Sequence, residues 1–93
     1  MVDQPADDSI PSRLSSKLRA ALTIQDLFIQ DKSGGCGQSY LVVVVAEEFK
    51  SMKLLERQQK VNAIVAEEIA AVHAFELKTW TEEQWAGKRA EYV

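Results

Sequence analysis

Two side chains with metal-binding chemistry occur only once each in this sequence, Cys36 and His73. A thiolate and a neutral imidazole are both ligands for soft and borderline metals. Glycines flank the cysteine in Gly35-Cys36-Gly37, so its sulfur is expected to be accessible, and the apolar run Tyr40–Ala46 follows. Structural zinc and each iron of an iron-sulfur cluster usually take about four ligands. A site built on these two residues would therefore need further ligands from another molecule.

The elements that carry these two residues can be predicted from hydrophobic periodicity and turn residues. In order, we predict a helix from Ser9 with Pro11 in its first turn, strands Thr23–Asp31 and Ser39–Ala46, a short helix Glu47–Lys53, a long helix Leu54–Val72, a strand Ala74–Trp80 and a last helix opened by the capping box Thr81–Gln84. Four consecutive valines favour a central strand with both faces at least partly covered. The sequence thus predicts an α+β fold in the order α-β-β-α-α-β-α, with a three-stranded mixed sheet and the helices packed on one face.

This order of elements predicts where the cysteine and the histidine lie. The second strand should span ~23 Å and the long helix ~27 Å, so the chain returns to the start of that strand. The third strand would then run parallel to the second through a right-handed crossover. Cys36 precedes the second strand and His73 begins the third, so we expect the two residues at one edge of the sheet.

Length, charge and composition exclude several classes of protein. Ninety-three residues suit one domain, which we place at residues 9–93 after a disordered acidic leader at residues 1–8. A single cysteine permits no internal disulfide and favours a reducing compartment. The longest apolar run is far shorter than the ~20 residues that cross a bilayer, and no targeting segment is evident. We expect a protein with no membrane association, located in the cytoplasm, with access to the nucleus left open.

Several local motifs, in this order of elements, resemble the BolA-like family over about residues 10 to 86. The motifs are Gly35-Cys36-Gly37-Gln38-Ser39, Val42–Val45 followed by Glu48-Phe49, Leu54-Leu55-Glu56-Arg57, Val61-Asn62, Ile69–Val72 followed by His73-Ala74-Phe75, Lys78-Thr79 and Glu82-Glu83-Gln84-Trp85. The His-Ala-Phe segment in this topology is the most specific of them. The family fold is similar to a type II KH domain, so the resemblance implies a BolA/type II KH-like architecture.

The resemblance also implies a partner and a cofactor. The branch with a cysteine in the strand-strand loop partners monothiol glutaredoxins, which implies a heterodimer that shares a bridging 2Fe-2S cluster. His73 and Cys36 match the positions that ligate or approach the cluster, while the glutaredoxin brings its own cysteine and a bound glutathione. This implies a non-catalytic iron-sulfur adaptor or chaperone in cluster trafficking or iron-dependent regulation. The isolated chain is expected to be a monomer.

Each candidate residue also has a simpler interpretation. A histidine at a helix end often caps or packs, and Cys36 could be a small loop residue, a direct ligand or an outer neighbour of the metal. Trp80 and Trp85 could stack on bases, although packing is the more frequent role. The pairs Glu47-Glu48 and Glu67-Glu68 could act in acid-base catalysis, but solvated helix surfaces are the commoner case. No catalytic triad, Walker loop or dinucleotide fingerprint is present, so we expect no enzymatic activity.

The alternative function is that of a KH-like nucleic-acid-binding transcriptional regulator. A net charge of -3 and a pI near 5.1 weigh against it, because phosphate binding relies on clustered lysine and arginine. Where BolA-like relatives often read Arg-His-Arg, this chain has Arg57-Gln58-Gln59, and Ser51-Met52 replaces their frequent Gly-Lys. The sequence therefore favours the cluster-binding hypothesis.

Overall fold

A computed structural model describes residues 9–34 and 37–92, and its elements follow the predicted order. They are α1 (Ile10–Ala21), β1 (Ile24–Asp31), β2 (Ser39–Ala46), a 3-10 helix (Glu47–Ser51), α2 (Leu54–Ile64), α3 (Ala66–Ala70), β3 (Ala74–Trp80), α4 (Glu82–Lys88) and a 3-10 turn (Arg89–Glu91). The leader predicted at residues 1–8 lies outside the described residues. In the described part of the chain, every helix is too short or too polar to cross a membrane.

The three strands form one mixed sheet with β2 at its centre. β1 pairs with β2 antiparallel, whereas β3 pairs with β2 in parallel, from Ser39 opposite Ala74 to Val45 opposite Trp80. This arrangement confirms the predicted α+β fold class and the return of the chain to the start of β2. The parallel register places the first residues of β2 and β3 side by side, at the edge where the candidate site was expected.

The two faces of β2 pack against different helices. Val42 and Val44 belong to a core cluster with residues of α1 and α2, while Val43 and Val45 pack against Trp85 of α4. The last helix therefore departs from the prediction that the helices pack on one face. Successive side chains of a strand point to opposite faces. Because valines occupy both faces of β2, each face needs its own apolar cover.

The predicted long helix Leu54–Val72 is interrupted. α2 ends at Ile64 and α3 begins at Ala66, with Val65 between them at φ -113° and ψ 29°. Val65 is fully buried, and its neighbour Ile64 is also β-branched. Such residues are weaker helix formers than unbranched ones, so burial of the Val65 side chain can outweigh an ideal helical backbone at this point.

Two helix starts follow the predicted signals. The Ser9 hydroxyl accepts a hydrogen bond from the Ser12 N–H at 3.3 Å, and a proline lies in the first turn of α1. At α4, the Thr81 hydroxyl accepts from the Gln84 N–H at 3.2 Å, while the Gln84 side chain accepts from the Thr81 N–H at 3.0 Å. These caps satisfy backbone donors that have no partner inside the helix. The capping box predicted for α4 is confirmed.

Candidate functional site

His73 is exposed and directly precedes β3 at the edge of the sheet. Its backbone N–H donates a hydrogen bond to the Gln38 carbonyl oxygen at 2.8 Å, and the Ala74 N–H donates to the same oxygen at 3.0 Å. Gln38 is the residue before β2. The two bonds fix the backbone of the histidine while the residue stays open to solvent. The backbone of His73 thus lies beside the end of the β1–β2 loop, at the edge of the sheet where the sequence predicts it.

The second predicted ligand, Cys36, lies outside the described residues. The structure brings Gln38, at the far end of its loop, against the backbone of His73. Proximity of the two side chains therefore stays a prediction. Within residues 9–34 and 37–92, no three His, Cys, Asp or Glu side chains cluster in a way that could hold a metal ion. A metal held by His73 would accordingly need ligands beyond these residues.

The β1–β2 loop is organised by the carboxylate of Asp31, the last residue of β1. Its Oδ1 accepts hydrogen bonds from the Ser33 N–H at 2.8 Å and the Ser33 hydroxyl at 2.5 Å, and its Oδ2 accepts from the Gly37 N–H at 3.2 Å. The Ser33 hydroxyl oxygen in turn accepts from the Gln38 N–H at 3.2 Å. Our reading of the sequence missed this role. An aspartate at a strand end, two residues before a serine, was the available signal, because such side chains bond to nearby backbone in turns.

Gly37 has a backbone that favours glycine, with φ at +72°. A Cβ atom added there would lie 3.3 Å from the Tyr40 hydroxyl oxygen, which is tighter than an ordinary contact. Tyr40 is buried, and its burial, followed by the negative charge of Asp31, raises the pKa of its hydroxyl above the usual 10.0. The tyrosine is therefore neutral at physiological pH. A larger residue at position 37 would strain the loop beside the candidate site.

Two cavities open near His73, and Phe75 lines both of them. The first has a volume of about 340 Å³, and the second of about 460 Å³. The first is lined by Lys32, Ser39, Tyr40, Ala74, Phe75 and Glu76, and the second by Asn62, Ala66, Ile69, Ala70 and Phe75. Both cavities therefore adjoin the start of β3, directly after His73.

One residue of each acidic pair makes contacts between elements of the fold. Glu68, predicted to lie on a solvated surface, is fully buried, and its Oε2 contacts Arg13 Nη2 and Lys17 Nζ, each at 2.9 Å. Glu48 is half-buried, and both of its carboxylate oxygens accept from the Thr23 N–H at 3.0 Å. The solvated-surface prediction is thus wrong for these two, because contacts with α1 and the start of β1 engage them. Each carboxylate is engaged in holding elements of the fold together.

The two tryptophans pack against each other and against the sheet. The rings of Trp80 and Trp85 are stacked with centroids 5.5 Å apart, and Tyr92 lies 5.7 Å from each. Trp85 is buried on Val43 and Val45, and its Nε1–H donates to Asp26 Oδ2 at 2.6 Å. These contacts support the packing interpretation over a base-stacking platform.

The sequence and the fold are both similar to those of known proteins. The family model described as BolA-like protein matches residues 18–84. BolA-like protein 2 of Mus musculus is 40% identical over 79 residues, which cover 84% of this chain and 92% of the mouse protein. BolA-like protein 2 of Saccharomyces cerevisiae is 38% identical over 74 residues, covering 78% of this chain and 62% of the yeast protein. The solved structure of BolA1 from Arabidopsis thaliana is 26% identical, with a TM-score of 0.76, and the match covers 84% of this chain and 98% of that one.

Proposed function

The chain belongs to the BolA-like family, and from this we propose that it is a non-catalytic adaptor that completes a bridging 2Fe-2S site with a monothiol glutaredoxin. The observation that carries the proposal is the exposed His73, whose backbone is fixed against the loop that contains Cys36. The complex would act in iron-sulfur cluster trafficking or iron-dependent regulation in the cytoplasm.

The donor set of this chain suits a shared cluster better than a self-contained metal site. It offers one imidazole and one thiol, fewer than the four ligands of a closed structural zinc site. The glutaredoxin would supply the remaining ligands through its own cysteine and a bound glutathione. When bound, the cluster supplies iron and an electron-accepting centre. Mixed nitrogen and sulfur ligation would raise its potential above that of an all-thiolate cluster, as it does in Rieske centres.

The residues of this chain contribute by presenting and orienting the ligands. The Gln38 carbonyl holds the backbone of His73, so the imidazole starts from a fixed point at the sheet edge. Concave surface next to Ala74 and Phe75 would let a partner approach the histidine closely. Preorganised ligands lose less freedom when a partner binds, which favours a defined complex.

The test is co-expression with a monothiol glutaredoxin, followed by absorption and pulsed electron paramagnetic resonance spectroscopy of the purified complex. We expect a coloured complex whose spectrum differs from that of the glutaredoxin alone and shows coupling to a histidine nitrogen. His73→Ala should abolish that coupling and speed cluster loss by at least about tenfold, since even mutations beyond the direct ligands cost 10–100-fold.

Two further variants sharpen this test. Cys36→Ser should change the stability or spectrum of the cluster, whereas an identical complex would make the loop thiol a bystander. Gln59→Ala, at an exposed position of α2, controls for the loss of a surface side chain and should leave the spectrum unchanged. An unaltered spectrum in His73→Ala, or no cluster in the unmodified complex, would refute the proposal.

A further inference from the structure

We infer that Asp31 is a positioning residue for His73 and acts through the backbone of the β1–β2 loop. The inference rests on the proposed function for its meaning, because it treats His73 as the ligand to be positioned. Its structural basis does not depend on the proposed function, because it is a continuous series of hydrogen bonds among described residues. This series of hydrogen bonds begins at the carboxylate of Asp31 and ends at the backbone of His73.

The first step joins the end of β1 to the end of the loop. One carboxylate oxygen of Asp31 accepts from the backbone and hydroxyl of Ser33, and the other accepts from the Gly37 N–H at 3.2 Å. Asp31 therefore contacts the loop on both sides of residues 35–36. Hydrogen bonds to an ionised acceptor are shorter and stronger than neutral ones, so the carboxylate is well suited to hold three donors together.

The second step passes from the loop to β3. The Ser33 hydroxyl, which donates to Asp31, accepts from the Gln38 N–H at 3.2 Å. The carbonyl of the same Gln38 accepts from the N–H groups of His73 and Ala74. The orientation of the Gln38 peptide groups is thus fixed on one side by Ser33 and on the other by the start of β3. Loss of the Asp31 carboxylate would therefore loosen the backbone of His73, because the two residues are linked through Ser33 and Gln38.

This role is separable from simple closure of the hairpin. The Lys32 N–H donates to the Ser39 carbonyl oxygen at 2.8 Å, and the β1–β2 ladder extends to Asp31 opposite Tyr40. These bonds are made by the backbone and do not require a carboxylate. Removal of the Asp31 side chain should therefore leave the sheet paired while it loosens Gly37, Gln38 and the start of β3.

Three variants of the full chain test the inference. Asp31→Ala removes the whole anchor, and Ser33→Ala removes only the hydroxyl relay to Gln38, which makes it the milder change. Glu83→Gln removes one negative charge from an exposed residue in the first turn of α4, at the opposite end of β3, and is the matched control for charge.

The decisive measurement is amide hydrogen exchange by nuclear magnetic resonance on the isolated protein. In Asp31→Ala, the amides of His73 and Ala74 should exchange about tenfold faster relative to the amide of Val43 in the sheet, and His73 ring signals should shift. Ser33→Ala should give a smaller change of the same kind, and Glu83→Gln none. Equal acceleration at all three amides, or no acceleration at His73, would overturn the inference.

A second measurement separates this inference from the proposed function. In complexes with glutaredoxin, Asp31→Ala should weaken the histidine-nitrogen coupling and speed cluster loss, whereas Glu83→Gln should not. If the unmodified complex holds no cluster, the proposed function fails and hydrogen exchange alone decides the positioning role. If the unmodified complex holds a cluster and Asp31→Ala leaves its spectrum and lifetime unchanged, Asp31 does not position the ligand.

Discussion

At the scale of the residue, the hydroxyl group of Thr79 is buried in the core and has no hydrogen-bond partner among the described residues. It lies on β3 opposite Val44, which belongs to the cluster beneath α1 and α2, and it is 1% exposed. A buried hydroxyl that loses its bonds to water costs roughly 1–3 kcal/mol. The stability of the fold should therefore increase when this group is replaced by a methyl group of similar shape.

We expect Thr79→Val to raise the free energy of unfolding by about 1 kcal/mol, because the substitution removes an unpartnered polar group and keeps the packing. Urea denaturation at neutral pH measures the change. Thr81→Val is the matched control with the opposite expected sign, since the Thr81 hydroxyl caps α4 and its loss should cost about 1 kcal/mol. A destabilised Thr79→Val protein would indicate that the hydroxyl is bonded to buried water.

The candidate residues differ in how far the sequence predicts them. The position of His73 follows from the lengths of β2 and the returning helices. These lengths bring the chain back to the edge of the sheet where β2 starts, and they do not depend on side-chain contacts. The roles of Asp31 and Glu68 depend on where loops and helices meet in three dimensions. Periodicity placed Glu68 on a helix but could not indicate that α1 covers it with two cations.

At the scale of elements, Glu68 links α3 to α1. Arg13 Nε donates to its Oε2 at 3.0 Å, and Lys17, one turn later on α1, contacts the same oxygen at 2.9 Å. Burial acts to raise the pKa of Glu68, but the hydrogen bond from Lys17 and the positive charges of Lys17 and Arg13 bring it below the usual 4.5. Hydrogen bonds to Glu67 and Glu68 raise the pKa of Lys17 above 10.5. The charged forms of these groups therefore favour the folded state.

We predict that the link is lost in acid. Because the folded-state pKa of Glu68 is lowered, its contribution is present above pH 4.5 and disappears as the pH falls through the lower folded-state value. At neutral pH, Glu68→Gln should cost about 1–2 kcal/mol of unfolding free energy, since partial exposure of both cations screens the pair. The difference from the unmodified protein should shrink below pH 4.5 in denaturation experiments.

The neighbouring carboxylate provides the control for this prediction. The Glu67 side chain is 77% exposed, and its Oε1 forms an ion pair with Lys17 Nζ at 2.7 Å. Glu67→Gln should change stability by much less than Glu68→Gln, because exposed ion pairs contribute little. Equal effects from both substitutions, or a Glu68 effect that is independent of pH, would contradict the proposed link between α1 and α3.

At the scale of the whole molecule, the net charge and the contacts of Arg57 lead us to expect little affinity for nucleic acid. The net charge is -3, and the half-buried arginine of the Arg57-Gln58-Gln59 segment contacts other residues of the chain. Arg57 Nε donates to the Met52 carbonyl at 3.0 Å, its Nη1 donates to Gln84 Oε1 at 3.1 Å, and its guanidinium lies 5.8 Å from the centre of the Phe49 ring. Binding a phosphate with Arg57 would compete with these contacts.

We therefore expect no measurable binding of the isolated protein to duplex or single-stranded DNA at low salt. Fluorescence anisotropy of labelled oligonucleotides provides the measurement, with a variant carrying Gln58→His and Gln59→Arg to test whether added positive charge creates affinity. Binding by the unmodified chain that weakens linearly with the logarithm of salt concentration would revive the KH-like alternative, because that slope reports phosphate contacts.

The sheet pairs β2 with segments at very different distances along the chain. β1 is joined to it by a short loop, whereas β3 follows only after α2 and α3. Proteins are made from the N-terminus, and contacts distant in sequence tend to form late. During synthesis, the β1–β2 hairpin can thus be complete before His73 exists to bond with Gln38. The candidate ligand site is therefore completed only when β3 joins the sheet, and a chain interrupted before β3 would carry the loop but lack the histidine that a partner would need.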